Sequence, residues 1–188
     1  MGKPKSNPNL RALSAMLGDT VIVRKVRGQI HLINRRPRQV RPTKNQLAQR
    51  ERFREATQYA SQQVSQAESK ALYETGITKK KHTSHLVALS DYLNAPKVSQ
   101  VDTIRYHGKV GDTLTVHATD DFMVTKVIIV ITDAAGAQIE KGEAMRHEQN
   151  GNLWEYQATA ANAVLKGTTI SVTAYDRPRN KGTAVVKL

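Results

Sequence analysis

The spacing of apolar and polar residues changes twice along the chain. Between Thr20 and Ile33 the apolar residues come as two short runs, Val21-Ile22-Val23 and Ile30-His31-Leu32-Ile33, on either side of Arg27-Gly28. Glycine gives a tight turn the backbone freedom it needs, so this stretch predicts a β-hairpin. Two strands alone are marginal in water, and the ribbon therefore needs a partner: the rest of the chain, another copy, or a different molecule. From Thr43 the period becomes helical. Thr43 with Gln46 makes a capping-box pattern after Pro42, and Phe53, Ala56, Ala60, Val64, Ala67 and Ala71 recur at steps of three and four. One long helix with a narrow apolar stripe is predicted, stopped by Thr75-Gly76. After a loop at Lys79–Lys81, a second helix begins at Thr83 or Ser84, presents Leu86, Leu89 and Leu93, and ends before Pro96.

From Val98 the period is two. Seven strands are predicted: Val98–Tyr106, Thr113–Ala118, Phe122–Thr132, Ala137–Met145, Leu153–Thr159, Thr169–Tyr175 and Thr183–Leu188. Leu114, Val116 and Ala118 alternate with Thr113, Thr115 and His117, and Trp154 and Tyr156 with Glu155 and Gln157. Short alternating strands separated by turns indicate an antiparallel sandwich. Val127–Ile131 is apolar on both faces and reads as a central strand. Trp154, the only tryptophan, reads as a core plug. Residues 1–9, with two prolines among Lys, Ser and Asn, read as a disordered start, and Asn9 as the cap of a short helix from Leu10 to Leu17. The expected fold class is α+β and multidomain. It comprises a basic extended arm with a β-hairpin (1–42), a helical hairpin or linker (43–97) and a seven-stranded antiparallel β-sandwich (98–188).

Within that last segment, Val172-Thr173-Ala174-Tyr175-Asp176, then Asn180 and Thr183–Val186, resemble the closing strands of bacterial immunoglobulin-like repeats of the adhesin type. Val116–Asp121 followed by Val124 and Val127 does so too. The resemblance covers about the last ninety residues and implies an Ig-like β-sandwich used for presentation, spacing or adhesion, with no catalytic residues. The chain departs from those repeats in carrying Arg177-Pro178-Arg179-Asn180 in place of an Ala-Gly-Asn turn. The front half is similar to segments of uncharacterised bacterial and phage-associated proteins.

Charge is distributed unevenly. Residues 1–55 carry fourteen Lys/Arg against three acids, whereas residues 98–188 carry ten of each, within a total of +13. The excess is concentrated at Arg24, Lys25, Arg27, Arg35, Arg36, Arg38, Arg41 and Lys44, with Arg50, Arg52 and Arg54 beyond. A cationic arm on a neutral domain points to acidic patches of neighbouring copies or to nucleic-acid phosphates, with a solvated tail as the plain alternative. Only Phe53 lies near enough to stack on bases, which disfavours single-strand recognition.

The absence of cysteine excludes disulfides, thiolate catalysis and thiolate metal sites. No segment has the apolar length of a membrane span and the N-terminus does not read as a secretory signal, so the expected location is cytoplasmic or within an assembly such as a virion. Asp120, Asp121, His147-Glu148 and Asp176 fall on loops at one end of the expected sandwich. Calcium is one reading of these acids, and ion pairing with Arg146, Arg177 or Arg179 the stronger one. His82 and His85 have the spacing of two ligands on a helix but lack a third. No nucleophile elbow, zinc-protease, phosphate-loop or dinucleotide motif is present, and no cofactor is expected. The chain reads as a non-enzymatic subunit of a homo-oligomer or larger assembly, such as a filament or virion. The alternative reading is a nucleic-acid-binding protein, and a third is an adhesin-like module.

Overall fold

The computed structural model describes residues 21–26, 28–34 and 41–188, and the chain divides into two compact units, Met1–Gln46 and Leu47–Leu188. The short helix expected over residues 10–17 and the linker residues 35–40 lie outside the described residues. In the first unit, β1 (Val21–Val26) and β2 (Gln29–Asn34) pair antiparallel, with Val26 opposite Gln29. The turn is therefore two residues long, and Gly28 sits at a φ of 84°, as a tight hairpin of this kind requires.

Helix α1 (Lys44–Ser65) opens on its capping box: the Thr43 N–H donates to Gln46 Oε1 at 3.1 Å and the Gln46 N–H to Thr43 Oγ1 at 3.3 Å. The single helix expected to reach Thr75 is instead broken at Gln66, whose ψ of 120° is extended, and α2 (Ala67–Glu74) restarts the winding. The break re-aims the second segment. Ser69 and Tyr73 face inward, and the stripe alanines Ala67 and Ala71 are exposed. Of the predicted stripe, Ala56 and Ala60 are buried, Val64 is half-buried and Phe53 is exposed, since it lies a turn before the first covered position.

Helix α3 (Ser84–Leu93) is capped by Thr83, whose Oγ1 accepts from the Leu86 N–H at 3.2 Å. Its buried face is not the predicted leucine row. Ser84, Val87, Ala88 and Asp91 point inward, and Leu86, Leu89 and Leu93 are only partly covered. The helix is rotated so that the Asp91 carboxyl meets the Tyr73 hydroxyl. Ala60, Tyr73, Val87 and Ala88 form a small core, and Phe122 from the loop at residues 120–125 packs on it.

The seven strands are β3 (Lys97–Asp102), β4 (Thr113–Thr119), β5 (Lys126–Thr132), β6 (Gln138–Arg146), β7 (Leu153–Gln157), β8 (Thr169–Tyr175) and β9 (Lys181–Lys187). All pairings are antiparallel, in the order β3-β4-β7-β6-β5-β8-β9. The layers expected of a sandwich are joined by β6, which pairs with β5 up to Ala144 and passes to β7 at Met145 and Arg146. The sheet curls until its ends meet: a Cβ on Gly182 of β9 would lie 1.9 Å from the carbonyl oxygen of Pro96, just before β3. The C-terminal part is thus a sandwich-like, nearly closed barrel.

Leu114, Val116, Val127, Ile129, Ile131, Ile170 and Val172 are fully buried inside it, and Trp154 joins them. Each such side chain contributes about 1.5–3 kcal/mol of burial. Polar groups are buried here too, among them Glu140, whose Oε2 accepts from the Tyr156 hydroxyl, the Thr159 N–H and hydroxyl, and the Ala160 N–H. Those donors fasten the chain after β7 to β6.

Candidate functional site

The strand register puts the end of β4, the start of β5, the end of β6 and the end of β8 at one pole, under α3. Asp120, just past β4, folds back on its own loop, where Oδ2 accepts from the Phe122 and Met123 N–H groups at 3.0 Å each. Asp176, just past β8, is gripped by Asn180, whose N–H donates to Oδ1 at 2.6 Å and whose Nδ2 donates to Oδ2 at 2.7 Å. The same Asn180 amide reaches the carbonyl oxygens of Asp91 and Tyr92, at 3.3 and 3.2 Å, and so ties the helix to the sheet. Asp91 descends from α3 between the other two acids. Its Oδ2 accepts from the Tyr73 hydroxyl at 2.6 Å, which is itself 2.8 Å from the Tyr59 hydroxyl.

One oxygen from each of Asp91, Asp120 and Asp176 lies within 4.8 Å of the others. Oδ1 of Asp91 and Oδ1 of Asp120 are buried without a hydrogen-bond partner. Burial pushes the Asp91 carboxyl up to about 7, the charges of Asp120 and Asp176 push the same way, and the Tyr73 hydrogen bond only partly offsets them. Burial likewise raises Asp176 against the pull of Asn180. Tyr73 is held far above the usual phenol range, first by burial and then by its bond to Asp91. Three carboxylates cannot all stay charged in so small a dry space. A proton on Asp91 supplies the missing donor, and a hard cation of the calcium type is the other group that suits a set made only of carboxylate oxygens.

The structure brings together two of the acids named from the sequence, Asp120 and Asp176, and sends Asp121 elsewhere. Asp121 pairs with Lys81 at 2.6 Å and accepts from Asn94 Nδ2 at 3.0 Å and from the Ser90 hydroxyl. Burial raises its pKa, but these partners outweigh the effect and leave it lowered. The expected pairing of these acids with arginine is not found among the described residues. Arg177 instead donates from Nη2 to Ser69 Oγ at 3.0 Å and Gln63 Oε1 at 3.3 Å, and lies 5.4 Å over the Tyr73 ring. Arg146 Nε donates to the Gly151 carbonyl. His147 and Glu148 share the pole but not the cluster. His85 Nε2 lies 3.4 Å from Ser61 Oγ, and neither it nor His82 belongs to a metal-type group among the described residues.

Asp91 and Tyr73 were missed by sequence reasoning. Ser84, Val87, Ala88 and Asp91 do fall on one helical face, but the leucines drew the reading to another.

Of the predicted arm residues, Arg24 and Lys25 lie on β1, opposite His31 and Ile30. Lys25, Arg41 and Lys44 are exposed. Arg27, Arg35, Arg36 and Arg38 lie outside the described residues. Arg52 Nη2 donates to the Leu93 carbonyl at 2.8 Å, so part of the basic helix locks α1 against α3.

No family model matches the chain, and no curated relative is found. Among solved structures, CopC from Methylosinus trichosporium OB3b is similar over 48% of this chain and 87% of its own, at 11% identity and a TM-score of 0.36. A tetra-tandem repeat from the extending region of a large adhesion protein matches at 22% identity and a TM-score of 0.33. It covers 49% of this chain, which spans 22% of that structure. The catalytic module of the glycogen-degrading pneumococcal virulence factor SpuA matches at 14% identity and a TM-score of 0.26, over 45% of this chain and 13% of its own. No described helix is long and apolar enough to cross a membrane.

Proposed function

We propose that the protein is a non-enzymatic structural subunit. It presents an Ig-like sandwich and is held to neighbouring copies, in a filament- or virion-type assembly, through its basic N-terminal arm. The observation that carries this reading is the state of the hairpin. Ile30 and Leu32, two residues apart on β2, are 56% and 60% exposed, and Val26 and Ile33 are also open to solvent. The two strands form a sheet of their own, with both outer edges unpaired among the described residues. Neither apolar faces nor open strand edges are stable in water at this size, and adding the ribbon to the sheet of another copy satisfies both.

The pole supports the same reading from the other side. Asn180 fastens α3 to the sheet and the Tyr73–Asp91 bond fastens α2 to α3, so the C-terminal unit has the build of a rigid module rather than of an enzyme cleft. The test is a pair of charged substitutions on the open face, Ile30→Glu with Leu32→Glu. They are expected to yield a monomer with the melting temperature of the C-terminal unit unchanged. An undiminished oligomer contradicts the proposal. Nucleic-acid binding by the arm is the second reading, favoured by the exposure of Lys25, Arg41 and Lys44.

A further inference from the structure

A second charged feature lies beside the acid pole, on the solvent side of the sheet. Lys126 opens β5, Tyr175 closes β8 and Lys181 opens β9, and the register sets them directly opposite one another, Lys126 against Tyr175 and Tyr175 against Lys181. Directly paired residues share a face, so the two lysines flank one aromatic ring. Their Nζ atoms lie 5.1 and 5.6 Å from its centroid. Arg177 and Arg179 rise from the loop between β8 and β9, and with Tyr59, Gln63 and Thr125 they line an open groove of ≈ 650 Å³. Among the described residues, none of Lys126, Arg177, Arg179 and Lys181 forms an ion pair. The one acid of the groove, Asp176, is buried with both oxygens occupied by Asn180. Four cations without a counter-charge repel one another unless an anion sits among them.

The backbone gives an independent sign. Arg179 has a φ of 71°, the only non-glycine residue with a positive φ among the described residues. A glycine takes this conformation freely and an arginine does not, so the chain holds a strained residue at the rim of this cationic groove. Arg177 is held in place from behind by Ser69 and Gln63. Both lysine ammonium groups lie over the Tyr175 ring, so a ligand at this point meets positive charge rather than an open aromatic face.

We propose that this groove is a phosphate-binding site. Arg177 and Arg179 supply forked donors to phosphate oxygens, and Lys126 and Lys181 supply point charges on either side. The phosphates come from a polynucleotide backbone or from a small phosphorylated molecule. The site is separate from the assembly reading of the arm, and oligomeric state does not bear on it.

The test uses the full chain, with inorganic pyrophosphate and a duplex oligonucleotide as probes. Its variants are Arg179→Gly alone and combined with Lys126→Gln and Lys181→Gln. Arg179→Gly relieves the strain, so its melting temperature is expected to equal or exceed the wild type while affinity falls several-fold. A structural role for Arg179 would not give that opposition. The combined variant is expected to lose at least about tenfold in affinity, with a log–log salt slope for duplex binding shallower by about two to three. Loss with both probes marks a backbone-phosphate site, and loss with pyrophosphate alone a site for a small phosphorylated molecule; each supports the proposal. Wild-type affinity and slope in the combined variant overturn it. So does a chain that binds a sulfated polymer and neither probe.

Discussion

The Tyr73 hydroxyl donates a 2.6 Å hydrogen bond to Asp91 Oδ2, and both side chains are fully buried. The bond links α2 to α3 directly above the pole of the sheet. It also gives the Asp91 carboxyl its only hydrogen bond among the described residues. Tyr73→Phe keeps the ring against Phe122, 4.7 Å away between centroids, and removes the hydroxyl with its bonds to Asp91 and Tyr59. Urea unfolding is expected to show a loss of about 1–3 kcal/mol, the cost of leaving a buried polar group without its partner. An unchanged midpoint would mean that the bond contributes nothing to stability.

The acid cluster predicts the direction of the pH response. Asp91 is raised from 3.8 to about 7 in the folded protein, so between those values the folded state holds a proton that the unfolded state has released. Stability is therefore highest at the acid end of that window and falls as pH rises towards 7. Asp176, also raised, acts in the same sense, while Asp121, lowered, loses its contribution only at lower pH. The groups facing Asp91 are Tyr73, Asp120 and Asp176, and the carboxyls among them titrate as a coupled set. Melting temperature is expected to rise on going from about pH 8 to pH 5, and Asp91→Asn to flatten that profile and raise stability at pH 8. A Ca²⁺-dependent rise at pH 8 that Asp91→Asn abolishes marks a cation in the proton's place. A profile that Asp91→Asn leaves unchanged contradicts the account of the pole.

Closure of the sheet rests on a glycine. Gly182 allows β9 to pass against Pro96, and a methyl group there meets backbone that cannot swing aside. Gly182→Ala is expected to cost about 1–3 kcal/mol or more and to loosen the β3 end first. Hydrogen exchange measured strand by strand checks this. Early exchange confined to β5 would place the weakness elsewhere.

Much of this architecture was legible in the chain. Period-two alternation in Thr113–Ala118 and Thr169–Tyr175 placed strands whose inward residues are the ones buried, and Thr43 with Gln46 marked a helix start to the residue. The misses share a cause. Local pattern cannot see tertiary hydrogen bonds, so it took Leu86, Leu89 and Leu93 for the buried face when Asp91 turns the helix the other way. It ran α1 through Gln66 because nothing in the local residues forbids a helix there. The break serves Tyr73, whose partner Asp91 is eighteen positions away. Asp120 and Asp176 were legible as pole residues because turns follow their strands. That Asp121 pairs with Lys81 depends on a contact across forty residues.

The central claim is that the N-terminal unit recruits another copy while the C-terminal unit is complete by itself. Light scattering on the intact chain, beside a chain lacking residues 1–42, tests it most directly. The intact protein is expected at a multiple of its 20.9 kDa mass and the shortened one as a folded monomer. A monomer of 20.9 kDa at every concentration of the intact chain, or an oligomer that survives the deletion, contradicts it.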